Sequence, residues 1–204
     1  MSWFDVALFT STFVTLIVIL DPPGAIPIFL ALTGPLPPAQ KAAAARRASL
    51  VALGVIASFA VFGQRILDYL HISLPALQAS GGLLLLIVAL QLLTGAESEQ
   101  HADAGVNVAL VPLGTPLLAG PGAIVATMLA VQGAEDAGGV VAVGTALVAA
   151  LLVVFLTFRF ASPLARVLKD SGIVLLSRIA GLLLSAIAVQ MVADAVRAFA
   201  AGEG

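Results

Sequence analysis

The chain has 204 residues, of which 61% are apolar and 10% charged, and its mean hydropathy is +1.14. A water-soluble domain carries about a quarter of its positions as charge, so nine Lys and Arg with eleven Asp and Glu exclude a hydrated surface and make lipid the solvent. The net charge of −2 with sparse basic residues excludes a nucleic-acid partner, and the absence of cysteine excludes disulfides and thiolate metal sites.

Within a bilayer every backbone N–H and C=O must be satisfied internally, which leaves helices or a closed barrel. A barrel would alternate polar and apolar positions. Leu83–Leu93 and Val140–Phe158 are instead apolar on every side and rich in Ala and Leu, which favour helix. The expected fold is an all-α polytopic membrane bundle forming one membrane domain over residues 1–204.

A spanning helix needs roughly 20 apolar residues, and six candidates follow in chain order: 6–32, 48–70, 74–94, 106–132, 139–160 and 173–195. The N-terminus has no basic region or small-residue cleavage site of a signal peptide, so the first segment is expected to remain a span. It is interrupted by Asp21-Pro22-Pro23-Gly24-Ala25-Ile26-Pro27. Three prolines and a glycine remove ladder donors and clash with preceding carbonyls, so the helix breaks there.

Gly34–Pro38 forms the next separator, and a tight connection joins the second span to the third. The fourth span is broken in the same way by Gly114-Thr115-Pro116-Leu117-Leu118-Ala119-Gly120-Pro121-Gly122. Glu97–Asp103, Gly133–Gly139 and Arg166–Gly172 read as the remaining loops. Lys41, Arg46, Arg47, Arg159, Arg166 and Lys169 fall on one side, against Arg65 and Arg197 on the other. By the positive-inside rule both termini lie outside.

The two halves repeat. Pro23-Gly24-Ala25-Ile26 recurs as Pro121-Gly122-Ala123-Ile124, 98 residues on. Gly82-Leu83-Leu84 recurs as Gly181-Leu182-Leu183, and Gln91 as Gln190, each 99 residues on. Three spans per copy is an odd number, so the second copy (about 104–199) must insert upside down relative to the first (about 1–97). The expected architecture is therefore two inverted three-helix repeats with broken first and fourth helices. Matched interruptions of this kind are the best sequence pointer to a midplane binding site.

The candidate residues follow from those breaks. A half-helix restarting after each break offers unpaired N–H groups to a carboxylate, and the carbonyls before it suit a cation or ammonium group. Asp21, Gly24, Ala25 and Pro27 would frame one side of a substrate site, and Gly120, Pro121, Gly122 and Ala123 the other. Two proline kinks that only shape the bundle are the plainer alternative.

Asp21 is the only acid deep in an apolar span, a costly position that marks function by default. It would hold a substrate ammonium or carry a coupling H+ or Na+; it also fits an N-cap before a proline. Gln91, Gln190 and Thr115 would line a polar path, or the two glutamines would tie helices together. Ser177, Gly81, Gly82 and Gly181 read as close-packing positions. No cofactor or metal is expected, and no nucleophile with its base is visible for a membrane enzyme. Small-residue faces permit a homo-oligomer without requiring one.

Asp21-Pro-x-Gly-x-x-Pro27, together with Leu117-Leu118-Ala119-Gly120-Pro121-Gly122-Ala123-Ile124, resembles the MarC family, also called the neutral amino-acid transporter family. The resemblance extends over essentially the whole chain. It implies a multi-pass protein of the bacterial or archaeal inner membrane, similar to carriers of small neutral amino acids such as glycine and alanine. The family's first motif usually has Asn where Ala25 stands here, so no role carries onto that position. The expectation is a secondary transporter of a small polar solute working by alternating access; a channel and a non-transporting scaffold are the rivals.

Overall fold

A computed structural model describes residues 4–33, 36–94 and 118–202. Helix α1 spans Val6–Leu20, α2 Ala25–Thr33, α3 Pro38–Leu70 and α4 Leu74–Thr94. After the second break come α5 at Pro121–Gln132, α6 at Ala137–Arg159 and α7 at Ala161–Ala200. Every element among the described residues is helical. Four stretches are long and apolar enough to cross a membrane: Pro38–Leu70, Leu74–Thr94, Ala137–Arg159 and Ser171–Ala200. Val6–Leu20 and Gly122–Gln132 are shorter apolar helices, as breaks within two further spans would leave them.

The ends of these helices follow local chemistry. Asp5 caps α1 by accepting from the Leu8 N–H at 2.9 Å, and Asp136 caps α6 through the Gly139 N–H at 2.8 Å, each meeting one donor that a helix start leaves unpaired. At the end of α3, His71 adopts the left-handed conformation (φ 56°, ψ 37°), and the Ile72 N–H returns to the Leu67 carbonyl at 3.0 Å. Three residues connect α3 to α4, the tight connection expected there.

Two boundaries differ from expectation. Helix α3 begins at Pro38 rather than near residue 48, because Pro suits the first helical position and the Ala42–Ala45 run between Gln40–Lys41 and Arg46–Arg47 favours helix beyond the apolar stretch. Arg166–Gly172, expected as a loop, is mostly helical; only Lys169 departs, with φ 55° and ψ 170°, and kinks α7.

Two apolar cores organise the bundle. The larger is built from α1, α2, α3, α6 and the start of α5, with Ala161 and Ile173 of α7. There the Phe29 and Phe158 rings stack with centroids 4.5 Å apart and 7° between planes, tying the half-helix α2 to α6. The smaller core joins α4, α5 and α7 around Leu85, Ala89, Leu184 and Ala188.

The α4–α7 contact is reciprocal. A Cβ built on Gly82 would lie 2.8 Å from the Ala188 carbonyl oxygen, and one built on Gly181 would lie 3.2 Å from that of Ala89. Both glycines and both alanines are 99 residues apart. Only glycine lets the two backbones approach so closely, the small-residue packing that membrane helices use. The opposite faces carry exposed Leu83, Ile87 and Leu90 on α4, and Leu175, Leu182, Val189 and Val196 on α7. Helices apolar on both faces suit a bilayer.

Candidate functional site

The first break is built around Asp21. Helix α1 stops there because Asp21 turns left-handed (φ 36°, ψ 65°) and Pro22 and Pro23 have no N–H to extend the ladder. That conformation costs an L-residue roughly 1–2 kcal/mol, and Asp is among the few side chains that visit it. The Asp21 N–H still closes α1 onto the Ile17 carbonyl at 3.1 Å. On the far side its Oδ1 accepts from the Gly24 N–H at 3.3 Å, and its carbonyl accepts from the Ala25 N–H at 3.0 Å. One residue thus ends α1 and caps α2.

The cap uses only half of the carboxylate. Asp21 is buried at 7% exposure, and its Oδ2 has no hydrogen-bond partner among the described residues. The Ser177 hydroxyl of α7 crowds the same point: a Cβ on Gly24 would stand 2.6 Å from Ser177 Oγ and collide with the Asp21 carboxylate. Gly24 is therefore glycine because the carboxylate and the hydroxyl occupy its side-chain space. The Ser177 hydroxyl is the donor beside the carboxylate, short of a well-formed bond to Oδ2; a buried carboxylate so thinly satisfied is expensive, and here it lies at a helix break.

The second break is simpler. Gly120 (φ −63°, ψ 158°) precedes α5, and Pro121 occupies the first helical position. The Gly120 carbonyl accepts from the Ala123 and Ile124 N–H groups at 3.1 and 3.3 Å. Gly122 is buried against α4, where an added Cβ would run into the Leu85 side chain. Leu20, Ala25 and Ile26 from the first break share one buried core with Leu118, Ala119 and Ala123 from the second. The two interruptions, about a hundred residues apart in sequence, are packed into the same cluster.

The other sequence candidates scatter. Ala25 and Ala123 are buried, Gly24 and Gly120 are half-buried, and Pro27 is exposed on the outer surface of α2. Thr115 and the Pro121 side chain lie outside the described residues. Gln91 is half-buried on α4. Gln190 is exposed and donates to both Asp194 carboxylate oxygens, at 2.8 and 2.9 Å, so its amide serves its own helix.

A cavity of about 180 Å³ lies one to three turns from the first break along α1. It is lined by Leu8, Ser11, Thr12, Thr15 and Leu16 of α1 and by Ala126 and Ala130 of α5. Nothing in the hydropathy pattern marks these hydroxyls, since Ser and Thr in a membrane helix ordinarily bond back to their own backbone. Their spacing at i, i+1 and i+4 is the one available signal.

A family model described as "MarC family integral membrane protein" matches residues 6–200. The chain belongs to the MarC family. A UPF0056 membrane protein of Methanocaldococcus jannaschii is 36% identical over 200 residues, covering 95% of this chain and 98% of that protein. One from Archaeoglobus fulgidus is 35% identical over 196 residues, covering 91% of each. The UPF0056 inner membrane protein YhgN of Escherichia coli is 31% identical over 194 residues, covering 94% of this chain and 98% of the relative. No solved structure matches. These MarC relatives are named as membrane proteins only, and the names indicate no enzymatic activity.

Proposed function

We propose that this MarC protein is a secondary transporter that carries a small polar solute of the neutral amino-acid class across the inner membrane by alternating access. The carrying observation is the buried, unpartnered Asp21 Oδ2 at a helix break packed into one core with a second break. A free carboxylate oxygen is suited to an ammonium group or to a coupling H+ or Na+. The positive ends of the α2 and α5 dipoles favour a carboxylate through their field, the Gly24, Ala25, Ala123 and Ile124 N–H groups being already bonded at the breaks.

In this reading the fold is six spans in two inverted repeats. The reciprocal Gly82–Ala188 and Gly181–Ala89 contacts support it, because a pseudo-two-fold axis between α4 and α7 would relate them. The bond from the Gln132 amide to the Gln64 side-chain oxygen, at 2.6 Å, brings the end of α5 beside the end of α3, as antiparallel halves require. Both termini would lie outside, by the Lys and Arg distribution. The word "inner" in the name of the Escherichia coli relative supports the location.

The test is uptake of radiolabelled alanine and glycine into proteoliposomes as a function of external concentration. Saturable uptake that responds to an imposed H+ or Na+ gradient is expected. Linear, gradient-independent flux would instead make the protein a pore, and no flux above empty liposomes would leave it a scaffold.

A further inference from the structure

The cavity between α1 and α5 is separate from the two breaks, and its construction points to a use. Ser11, Thr12 and Thr15 put three hydroxyls on one wall, while Ala126 and Ala130 keep the other wall thin. Ser11 Oγ is bonded to the Leu8 carbonyl at 3.1 Å. Thr12 is 5% exposed, lines the cavity, and its Oγ1 has no partner among the described residues. Thr33 and Thr127, also buried, both bond back to the carbonyl four residues earlier at 2.7 Å; among the described buried hydroxyls only Thr12 and Ser49 of α3 lack a partner, and of the two only Thr12 lines this cavity. A buried hydroxyl without a partner is costly. About 180 Å³ is room for about six waters at ~30 Å³ each, which would satisfy it.

The position of the cavity matters as much as its chemistry. Helix α1 runs toward the first break and α5 runs away from the second, so Leu8 and Ala130 mark the outer end of the cavity and Leu16 and Ala126 the inner end. Leu16 is fully buried and belongs both to the cavity wall and to the core that holds Leu20, Ala25, Ala119 and Ala123. It is the side chain standing between the cavity and the breaks. The positions equivalent by the 98-residue offset are Ala109, Leu110 and Leu113 for the hydroxyl wall, and Ile28 and Leu32 for the thin wall. All five are apolar, so the three hydroxyls have no counterpart at the equivalent sequence positions.

We propose that this cleft is a water-filled vestibule through which small, hydrogen-bonding solutes without net charge reach the paired breaks from the face on which α1 begins, with Leu16 as its floor. No charged side chain lines it among the described residues, so it selects for hydrogen bonding and size rather than for charge sign. The vestibule rests on the transporter reading, which it supplies with a route of approach.

The chain has no cysteine, so single-cysteine variants can be read without background. Thr12→Cys and Ala126→Cys place a thiol on each wall; Val14→Cys, at a position 53% exposed, is the lipid-facing control. The probe is a charged, membrane-impermeant methanethiosulfonate added to intact cells and, separately, to inverted vesicles. Because the thiolate is the reacting form and persists only in water, the two wall variants should react at least about tenfold faster than Val14→Cys, and only in intact cells. Alanine uptake should fall after modification of Thr12→Cys and stay unchanged after modification of Val14→Cys.

Wall thiols as slow as the control, or reached only by hydrophobic maleimides, would make the cleft a lipid-filled groove and overturn the proposal. So would labelling at Thr12→Cys that leaves uptake intact. Rapid labelling in a protein that moves no alanine or glycine at all would retain the aqueous cleft while removing the transporter reading, and the vestibule's role in transport with it.

Discussion

Gly82 of α4 faces the backbone carbonyl of Ala188 on α7, with the space for its missing side chain closing to 2.8 Å. A carbonyl cannot swing aside as a side chain can, so Gly82→Ala must push the helices apart. Overpacking of this kind costs typically 1–3 kcal/mol. Gly181→Ala meets its nearest backbone atom, the Ala89 carbonyl oxygen, at 3.2 Å and should cost less. Gly54 and Gly144 have nothing within 4 Å of an added Cβ among the described residues, and alanine there should gain about 0.5–1 kcal/mol from helix propensity. Thermal unfolding in detergent should rank the four variants in that order.

The Asp21 cap separates stability from charge. Asp21→Asn keeps an oxygen for the Gly24 N–H and should unfold close to the wild-type temperature. Asp21→Ala loses the cap and should cost about 1 kcal/mol. Gly24→Ala collides with the carboxylate and Ser177 and should be worse than either. A differential-scanning series on the three purified variants checks this order.

The stacked Phe29 and Phe158 rings hold α2 in place after the break. A double-mutant cycle with leucine at each position should show a coupling of about 0.5–1.5 kcal/mol. Independent, additive losses would mean that the rings fill volume without interacting specifically.

Orientation can be checked on the same cysteine-free background. Tyr69, 83% exposed at the end of α3, and Val167, 78% exposed in the first turns of α7, fall on opposite faces of the proposed topology. Tyr69→Cys should react with an impermeant maleimide in intact cells, and Val167→Cys only after permeabilisation. The reverse pattern would invert the orientation.

Much of this was legible in the sequence, for reasons that differ from residue to residue. Span 74–94 reads directly because apolar residues fill most of it. The break at Asp21 reads directly because consecutive prolines leave the backbone no alternative. The start of α3 did not, since Gln40, Lys41, Arg46 and Arg47 flank a run of alanines and a membrane-length apolar window passes over them. Arg166–Gly172 carries three charges and looks like a loop, yet one residue, Lys169, absorbs the whole departure from helix. Ser177 reads as a packing residue because its role depends on how closely α7 approaches Gly24, which no local pattern encodes. Pro27 belongs to the motif in sequence, but helical geometry turns it outward, two residues from the buried Ala25.

The account stands on the free oxygen of Asp21 acting on a solute rather than only shaping the backbone. The most direct measurement is saturable alanine uptake by wild type and by Asp21→Asn in matched proteoliposomes, read beside their unfolding temperatures. The prediction is that uptake by Asp21→Asn falls at least about tenfold, a loss of about 1.4 kcal/mol or more of binding or transition-state stabilisation, at an unchanged unfolding temperature. Equal uptake by the two proteins would reduce Asp21 to a helix cap and contradict the proposed site.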